Sequence, residues 1–305
     1  MRRALVTGAT GCVGRAVTAA LARDGWTVRG LARAPAPGFP AELVLGDIAD
    51  AAAVRAAAAG CDAVVHLASW VHRVPRGDAD LADLRRSIVD GTRHVVAAAG
   101  GARLVHASTV AVYGSFPPQP ADERTPPAPD TAYGRSKLAA EELARAHPRA
   151  AILRIAVVYG PGDRGNLAAL ARAIRRRRAF IVGDGANRKS LVYADNLADR
   201  VARLCATDLV GTFVAADVAP TQRELMTALA TTLGCRPPRA LPRAPLLLAG
   251  RALDLVSGPK WADRVRKLGA PTEFSGARLD DALGYTARVG LEEGLRQSSS
   301  WYKEA

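Results

Sequence analysis

A chain of 305 residues, 49% hydrophobic and 23% charged, has the composition of a globular protein, large enough for one big domain or two smaller ones. No apolar run reaches the length of a membrane span, residues 244–250 coming nearest, and the first strand begins too early to leave room for a signal peptide. The net charge of +13 invites a nucleic-acid partner, but only five of the 42 basic residues are Lys, leaving 37 Arg in an alanine-rich chain. That bias looks like the codon usage of a GC-rich genome, so we expect neither a nucleic-acid nor a membrane partner. A positive field would still draw in an anionic ligand. Cys12, Cys61, Cys205 and Cys235 are scattered without metal spacing, which predicts no metal site and reduced thiols in a cytoplasmic protein.

The first expected strand, residues 4–7, runs into Thr7-Gly8-Ala9-Thr10-Gly11-Cys12-Val13-Gly14 and a helix over 15–24. Strand, glycine turn and helix is the order a dinucleotide cradle needs. Gly8 allows the tight turn, Gly11 lets a pyrophosphate approach the backbone, and Gly14 lets the helix pack close to the sheet. The helix N-terminus offers free N–H groups and partial positive charge to phosphates. Further strands are expected over 27–32, 41–45, 63–67, 103–108 and 151–158, and helices over 51–59, 81–99 and 131–146. The alternation, with strands read as continuous Val/Leu/Ile runs, predicts an α/β fold built on a Rossmann-type doubly wound parallel sheet. A proline-rich loop over 117–129 can be neither helix nor inner strand. A helix over 166–178 follows, its Arg175–Arg178 run read as a solvated C-terminus. After a strand over 211–216, the chain is mostly helical and broken by prolines. This places a nucleotide domain over 1–165, with later pieces from about 186–217, beside a smaller, mostly helical C-terminal substrate lobe over 166–185 and 218–305.

Two motifs carry chemistry. In Tyr133-Gly134-Arg135-Ser136-Lys137 the phenol and the ammonium sit at i and i+4 on one helix face, with Asp130 or Thr131 as N-cap. A neighbouring ammonium stabilises phenolate and lowers the tyrosine pKa from about 10 towards the working range. A phenol so tuned exchanges a proton with a carbonyl or carbinol oxygen. Upstream, Ser108 and Thr109 place two hydroxyls at the carboxyl end of a strand, where one can hydrogen-bond the same oxygen.

Taken in this order, the motifs resemble the extended short-chain dehydrogenase/reductases, the NAD-dependent epimerase/dehydratase family. Thr7–Gly14 is similar to TGxxGxxG, Gly46-Asp47-Ile48 to the turn whose Asp contacts adenine, and His66-Leu67-Ala68-Ser69 to the strand end along the cofactor. Ser108–Gly114 resembles S-[ST]-x-x-V-Y-G, and Leu153–Gly162 resembles LRxxNVYGPG with Val157 in place of Asn. Residues 183–198, 283–295 and 301–302 resemble the lobe-joining and C-terminal signatures. The resemblance implies Tyr133 as general acid/base, Lys137 tuning it and binding the nicotinamide ribose, and Thr109 orienting the substrate oxygen with Ser108 in support. It also implies cofactor contacts from Gly8, Thr10, Gly11, Cys12, Val13, Gly14, Asp47, Ile48, Leu67, Ala68 and Ser69. Homodimerisation through the helices over 81–99 and 131–146, common in such proteins, is a further implication.

An acidic residue at the end of the second strand would bind the adenosine ribose 2′-OH and signal NAD. Here the position is Ala32, followed by Arg33, so NADP(H) is favoured over NAD(H), the guanidinium pairing with a 2′-phosphate. The substrate is expected to be a small molecule, nucleotide-linked sugars leading. Arg188 and Lys189 resemble the residues holding the nucleotide diphosphate, and Val110-Ala111 lacks the acids of a dehydratase. A 4-ketoreductase or 4-epimerase follows. The alternatives are a reductase of a hydrophobic ketone, with Trp70 and residues 246–256 lining its pocket, and a non-catalytic NADP-binding regulator. His66 is expected to be packed, and His72 and His94 structural.

Overall fold

The computed structural model describes residues 2–70, 75–258 and 260–304; His72 lies outside them. The first half of the chain contains β1 (Arg3–Thr7), α1 (Cys12–Arg23), β2 (Thr27–Ala32), β3 (Glu42–Leu45), α2 (Ala51–Ala58) and β4 (Ala63–His66). There follow α3 (Asp78–Arg85), α4 (Gly91–Ala99), β5 (Arg103–Thr109), α5 (Ala132–Arg145), β6 (Ala150–Ile155), β7 (Val157–Tyr159) and α6 (Asn166–Arg175). The remainder is β8 (Ile181–Val182), β9 (Leu191–Tyr193), α7 (Ala194–Cys205), β10 (Gly211–Ala215), α8 (Gln222–Leu233) and β11 (Ala240–Leu241). Five helices close the chain: α9 (Arg243–Ser257), α10 (Trp261–Gly269), α11 (Ala277–Leu283), α12 (Leu291–Gln297) and α13 (Ser299–Glu304).

Seven strands form one parallel sheet in the order β10-β6-β5-β4-β1-β2-β3. The order reverses between β1 and β4, and ligands bind such sheets at the carboxyl ends of the strands flanking that reversal. There Thr7 stands opposite His66, which stands opposite His106. β4 and β6 are buried throughout, as strands covered on both faces must be. One core lies between the sheet and α1 and α7, another between the sheet and α2 and α4.

Three expected elements end differently. The helix over 81–99 is divided by a π-helical turn, Arg86–Asp90. The wider turn lets Leu84 and Ile88, both 1% exposed, pack beneath Ala140 while Thr92 Oγ1 donates to the Ile88 carbonyl (2.6 Å). The strand over 151–158 is cut at Ala156, whose N–H turns to the Ala215 carbonyl; β7 leaves the large sheet and pairs with β9. The helix over 166–178 stops at Arg175 because Arg177 takes a left-handed φ of 56°; Arg175–Arg178 are exposed, as expected of a solvated end.

A third core, around Tyr159, Leu167, Tyr193, Leu225, Leu295 and Tyr302, joins α6, α8, α12 and α13. Thr221 and Glu224 form a reciprocal capping box on α8, a start signal written in the sequence. The proline-rich loop is stitched to the C-terminal region: Ala121 N–H donates to Glu273 O, and Ser275 N–H to Ala121 O, both at 2.9 Å. Arg200, 1% exposed in its side chain, bridges Asp217 (2.5 Å) and Asp280 (2.7 Å), tying α7 to α11.

Candidate active site

The cradle begins where β1 stops. Gly8 has φ 67°, a left-handed conformation open to glycine, and its carbonyl accepts the Gly11 N–H (3.1 Å). Gly11 precedes α1 without a side-chain cap, and no acid stands in the helix's first turn. The first N–H groups of α1 therefore keep their capacity for an anion. A Cβ at Gly14 would lie 2.2 Å from Gly8 O, so this glycine lets the helix pack against its own turn rather than against the sheet. Val13 is half-buried against the core, and the Thr10 carbonyl accepts from Arg15 Nε (3.3 Å). Cys12 Sγ donates to Pro161 O (3.2 Å), and burial, followed by Asp163 and Asp195, pushes its thiol up to about 12. It is a packing group rather than a nucleophile.

Beside the turn, a proton chain fixes His66. The Ala68 N–H donates to Thr7 Oγ1 (3.2 Å), which contacts His66 Nδ1 (2.9 Å); His66 Nε2 contacts Thr92 Oγ1 (3.0 Å). Because Thr92 donates onward to Ile88 O, His66 must carry its proton on Nε2 and accept on Nδ1. Burial, then the Lys137 charge, brings its pKa down to about 3, so the ring stays neutral and packed, as expected. His94 Nδ1 meets Ile48 O (3.1 Å) in a structural contact, also as expected. Ile48 itself is 7% exposed in the core, so only its backbone is placed for an adenine. Asp47 is exposed and accepts the Ala49 N–H (2.8 Å), while Leu67 and Ala68 continue β4 along the turn.

Thr131 is the N-cap of α5, its hydroxyl accepting the Gly134 N–H (3.0 Å). A Cβ at Gly134 would lie 2.6 Å from Ala111 O, so glycine lets this helix start dock on the short 3-10 turn Val110–Tyr113 that follows Thr109. That docking brings the Tyr133 phenol to Ser69 and Thr109. Burial raises the Tyr133 pKa, while the Ser69 and Thr109 hydroxyls pull the other way. Among the described residues, no group other than this phenol engages the buried Ser69 Oγ. Lys137, expected to lower the phenol, donates its buried ammonium to the Ala107 carbonyl (2.9 Å), and burial sets the direction of the Tyr133 shift. Burial brings Lys137 down to about 8 against the pull of Glu141.

Ser108, expected beside Thr109 as support, is taken up by Glu141, two turns further along α5 than Tyr133. Its hydroxyl donates to Glu141 Oε1 (2.5 Å), and Glu141 pairs with Arg154 (2.8 Å), both side chains almost fully buried. Arg154 also donates to the Tyr113 hydroxyl (3.0 Å), which donates to Asp122 O (2.8 Å). This network was missed, though Tyr133, Lys137 and Glu141 form an i, i+4, i+8 stripe in plain view. Asp163 was missed as well: it accepts the Gly165 and Ala168 N–H groups at the start of α6 and the Tyr302 hydroxyl, beside the Cys12 contact.

The substrate residues are placed unevenly. Trp70 packs with Tyr133 on the Leu84–Ile88–Ala140 patch. Arg188 pairs with Glu273 (3.3 Å) and is half exposed. Lys189 Nζ is committed to the carbonyls of Ala270 (2.5 Å) and Lys267 (3.3 Å) and falls to about 8 through burial.

Residues 4–214 match the NAD dependent epimerase/dehydratase family. The chain belongs to that family. It is 30% identical over 312 residues to N-acetyl-alpha-D-glucosaminyl-diphospho-ditrans,octacis-undecaprenol 4-epimerase of Escherichia coli O157:H7, covering 95% of this chain and 92% of that one. It is 29% identical over 318 residues to the ceramide reductase of Caulobacter vibrioides, covering 98% and 94%. A solved structure, MoeE5 in complex with UDP-glucose and NAD, superposes with a TM-score of 0.79 at 26% identity, covering 99% of each chain. This family member is thus a short-chain dehydrogenase/reductase-type enzyme with a Rossmann-like fold. Its own residues fit a dinucleotide: a bare helix start without acids, a left-handed Gly8, and a buried Ser69 hydroxyl facing the Tyr133 phenol. No helix among the described residues is long and apolar enough to cross a membrane.

Proposed function

We propose that this enzyme reduces or epimerises a ketone or carbinol carbon of a diphosphate-linked sugar, with Tyr133 as general acid/base. The observation that carries this is the convergence of the Tyr133, Thr109 and Ser69 hydroxyls at the carboxyl ends of β4 and β5. When bound there, a nicotinamide supplies or accepts the hydride. Thr109 orients the substrate oxygen, and Tyr133 gives it a proton in reduction or takes one in oxidation. Lys137, anchored on Ala107 O, holds its positive charge next to the reacting pair. Ser108 acts through Glu141 as a support for α5 rather than as a contact to substrate. Arg188, half exposed beside Glu273, is the member of the basic pair that could reach a diphosphate, and Lys189 positions the segment that carries it. The relatives' names agree in part: one acts on a diphospho-undecaprenol-linked sugar, and MoeE5 holds UDP-glucose.

A second reading, reduction of an apolar ketone, is favoured by the ceramide reductase relative. Cofactor oxidation measured with 4-keto nucleotide sugars and with long-chain apolar ketones separates the two. Turnover of the sugars alone supports the first, turnover of the ketones alone the second, and turnover of neither despite tight cofactor binding points to a regulator.

For the cofactor we propose NADP(H). Ala32 ends β2 without a carboxylate, and the exposed Arg33 follows it. Arg33→Ala is expected to weaken NADP(H) binding about tenfold, the value of one charge-assisted contact, and to leave NAD(H) binding unchanged. Tighter binding of NAD(H) than NADP(H) by the unaltered protein would sink the assignment.

Reduction is expected to fall with rising pH. Tyr133, raised by burial, keeps the proton it must donate, whereas Lys137 loses its charge above about 8. The kcat/KM for ketone reduction should be level below that pH and decline above it, a profile lost in Lys137→Met. A rate that climbs through pH 8 would contradict the assigned roles.

A further inference from the structure

Helix α9 carries its apolar residues on the side that a globular protein makes polar. Leu248, Leu255 and Val256 are 65%, 89% and 90% exposed. At about 3.6 residues per turn, Ala244, Leu248, Ala252, Leu255 and Val256 fall on one broad face. The opposite face is already used. A Cβ at Gly250 would lie 2.9 Å from Ala262 N, and the Asp254 carboxylate accepts the N–H groups of Lys260, Trp261 and Ala262 at 2.6–3.1 Å. The α9–α10 hairpin is thereby closed on itself, and among the described residues nothing covers its apolar side.

The charge around that side is positive. Residues 236–267 hold eight basic and two acidic side chains. Both acids are spent: Asp254 caps α10, and Asp263 pairs with Arg266 (3.4 Å) and Lys267 (3.0 Å). Among the described residues, neither Arg243 nor Arg251 has an ion-pair partner, and both are exposed. An apolar helix face rimmed by free cations is the combination that lies in the headgroup plane of an anionic membrane. The expectation of no membrane partner rested on the absence of a span and does not reach a helix lying on the surface. The hairpin also reaches the start of the Tyr133 helix: Lys267 is 3.9 Å from Asp130, just ahead of α5, and its carbonyl accepts from Lys189.

We propose that the outer face of α9 docks this enzyme on an anionic lipid bilayer, with the catalytic cleft opening beside the membrane surface. The proposal is independent of which substrate the cleft accepts. The test is sedimentation of the full chain with vesicles of phosphatidylcholine and phosphatidylglycerol in equal amounts, and with phosphatidylcholine alone. Binding is expected to the anionic vesicles, weakened by salt. The double variant Leu255→Glu/Val256→Glu is expected to lower the partition coefficient about tenfold or more, because two apolar side chains no longer insert. These positions are almost fully exposed, so its melting temperature and cofactor binding should be unchanged. Failure to bind either vesicle, or binding that the double variant leaves intact, would overturn the proposal. So would a dimer in light scattering that the double variant dissociates without any vesicle binding, since a second copy would then be the cover.

Discussion

Replacing Tyr133 by Phe is expected to lower kcat by about 10²–10⁴, the range for loss of a positioned general acid. The ring is retained and keeps its packing with Trp70 on the Leu84–Ile88–Ala140 patch, so stability and cofactor binding should change little. What is lost is the one hydroxyl that faces both Ser69 and Thr109. Thr109→Val is expected to be milder in kcat, because it removes an orienting contact rather than the proton donor. Steady-state kinetics with the best 4-keto substrate, alongside cofactor titration, read both effects. Activity of Tyr133→Phe within about tenfold of the unaltered enzyme would move the acid/base elsewhere.

Glu141→Ala should have the largest effect on folding. Glu141 is fully buried and takes the Ser108 hydroxyl and the Arg154 guanidinium, so its loss leaves a buried cation without its partner. Breaking one side of a buried pair costs about 3–5 kcal/mol, a large part of the stability of most domains. The neighbouring Lys137 loses the carboxylate that supports its charge, so its pKa should fall below about 8 and the reduction profile should shift to lower pH. Denaturant unfolding of Glu141→Ala and of Glu141→Leu/Arg154→Met checks this. The double replacement should recover much of the loss, because neither charge is then stranded. A loss below about 1 kcal/mol in the single variant would show that solvent reaches Arg154.

Much of this was legible in the chain. Gly8, Gly11 and Gly14 between an apolar run and a helix specify a strand, a turn and a bare helix start, since local backbone geometry alone demands glycine at φ 67° and at a 2.2 Å approach. The continuous apolar strands specify a doubly covered parallel sheet. Tyr133 and Lys137 lie on one helix face by periodicity, and that face does turn inward. Three things were not legible. The direction of the Tyr133 shift is set by burial, which the i, i+4 spacing does not report. Ser108 and Thr109 are adjacent in sequence, but only the packing of α5 shows that Ser108 is taken up by Glu141 while Thr109 meets Tyr133. Leu246–Val256 was read as a pocket lining because an apolar run says nothing about which side of a helix its neighbours cover; α10 occupies the polar side and leaves the leucines outside.

The sequence by itself determined the family, the sheet and the helix face that carries Tyr133 and Lys137, because each depends on residues close together along the chain or on a short repeat of backbone geometry. The tertiary structure decided what is charged, what is supported and what is exposed. Burial, the Ser108–Glu141–Arg154 network and the outward face of α9 all arise from groups brought together across large separations in sequence, where desolvation and pairing set the energies.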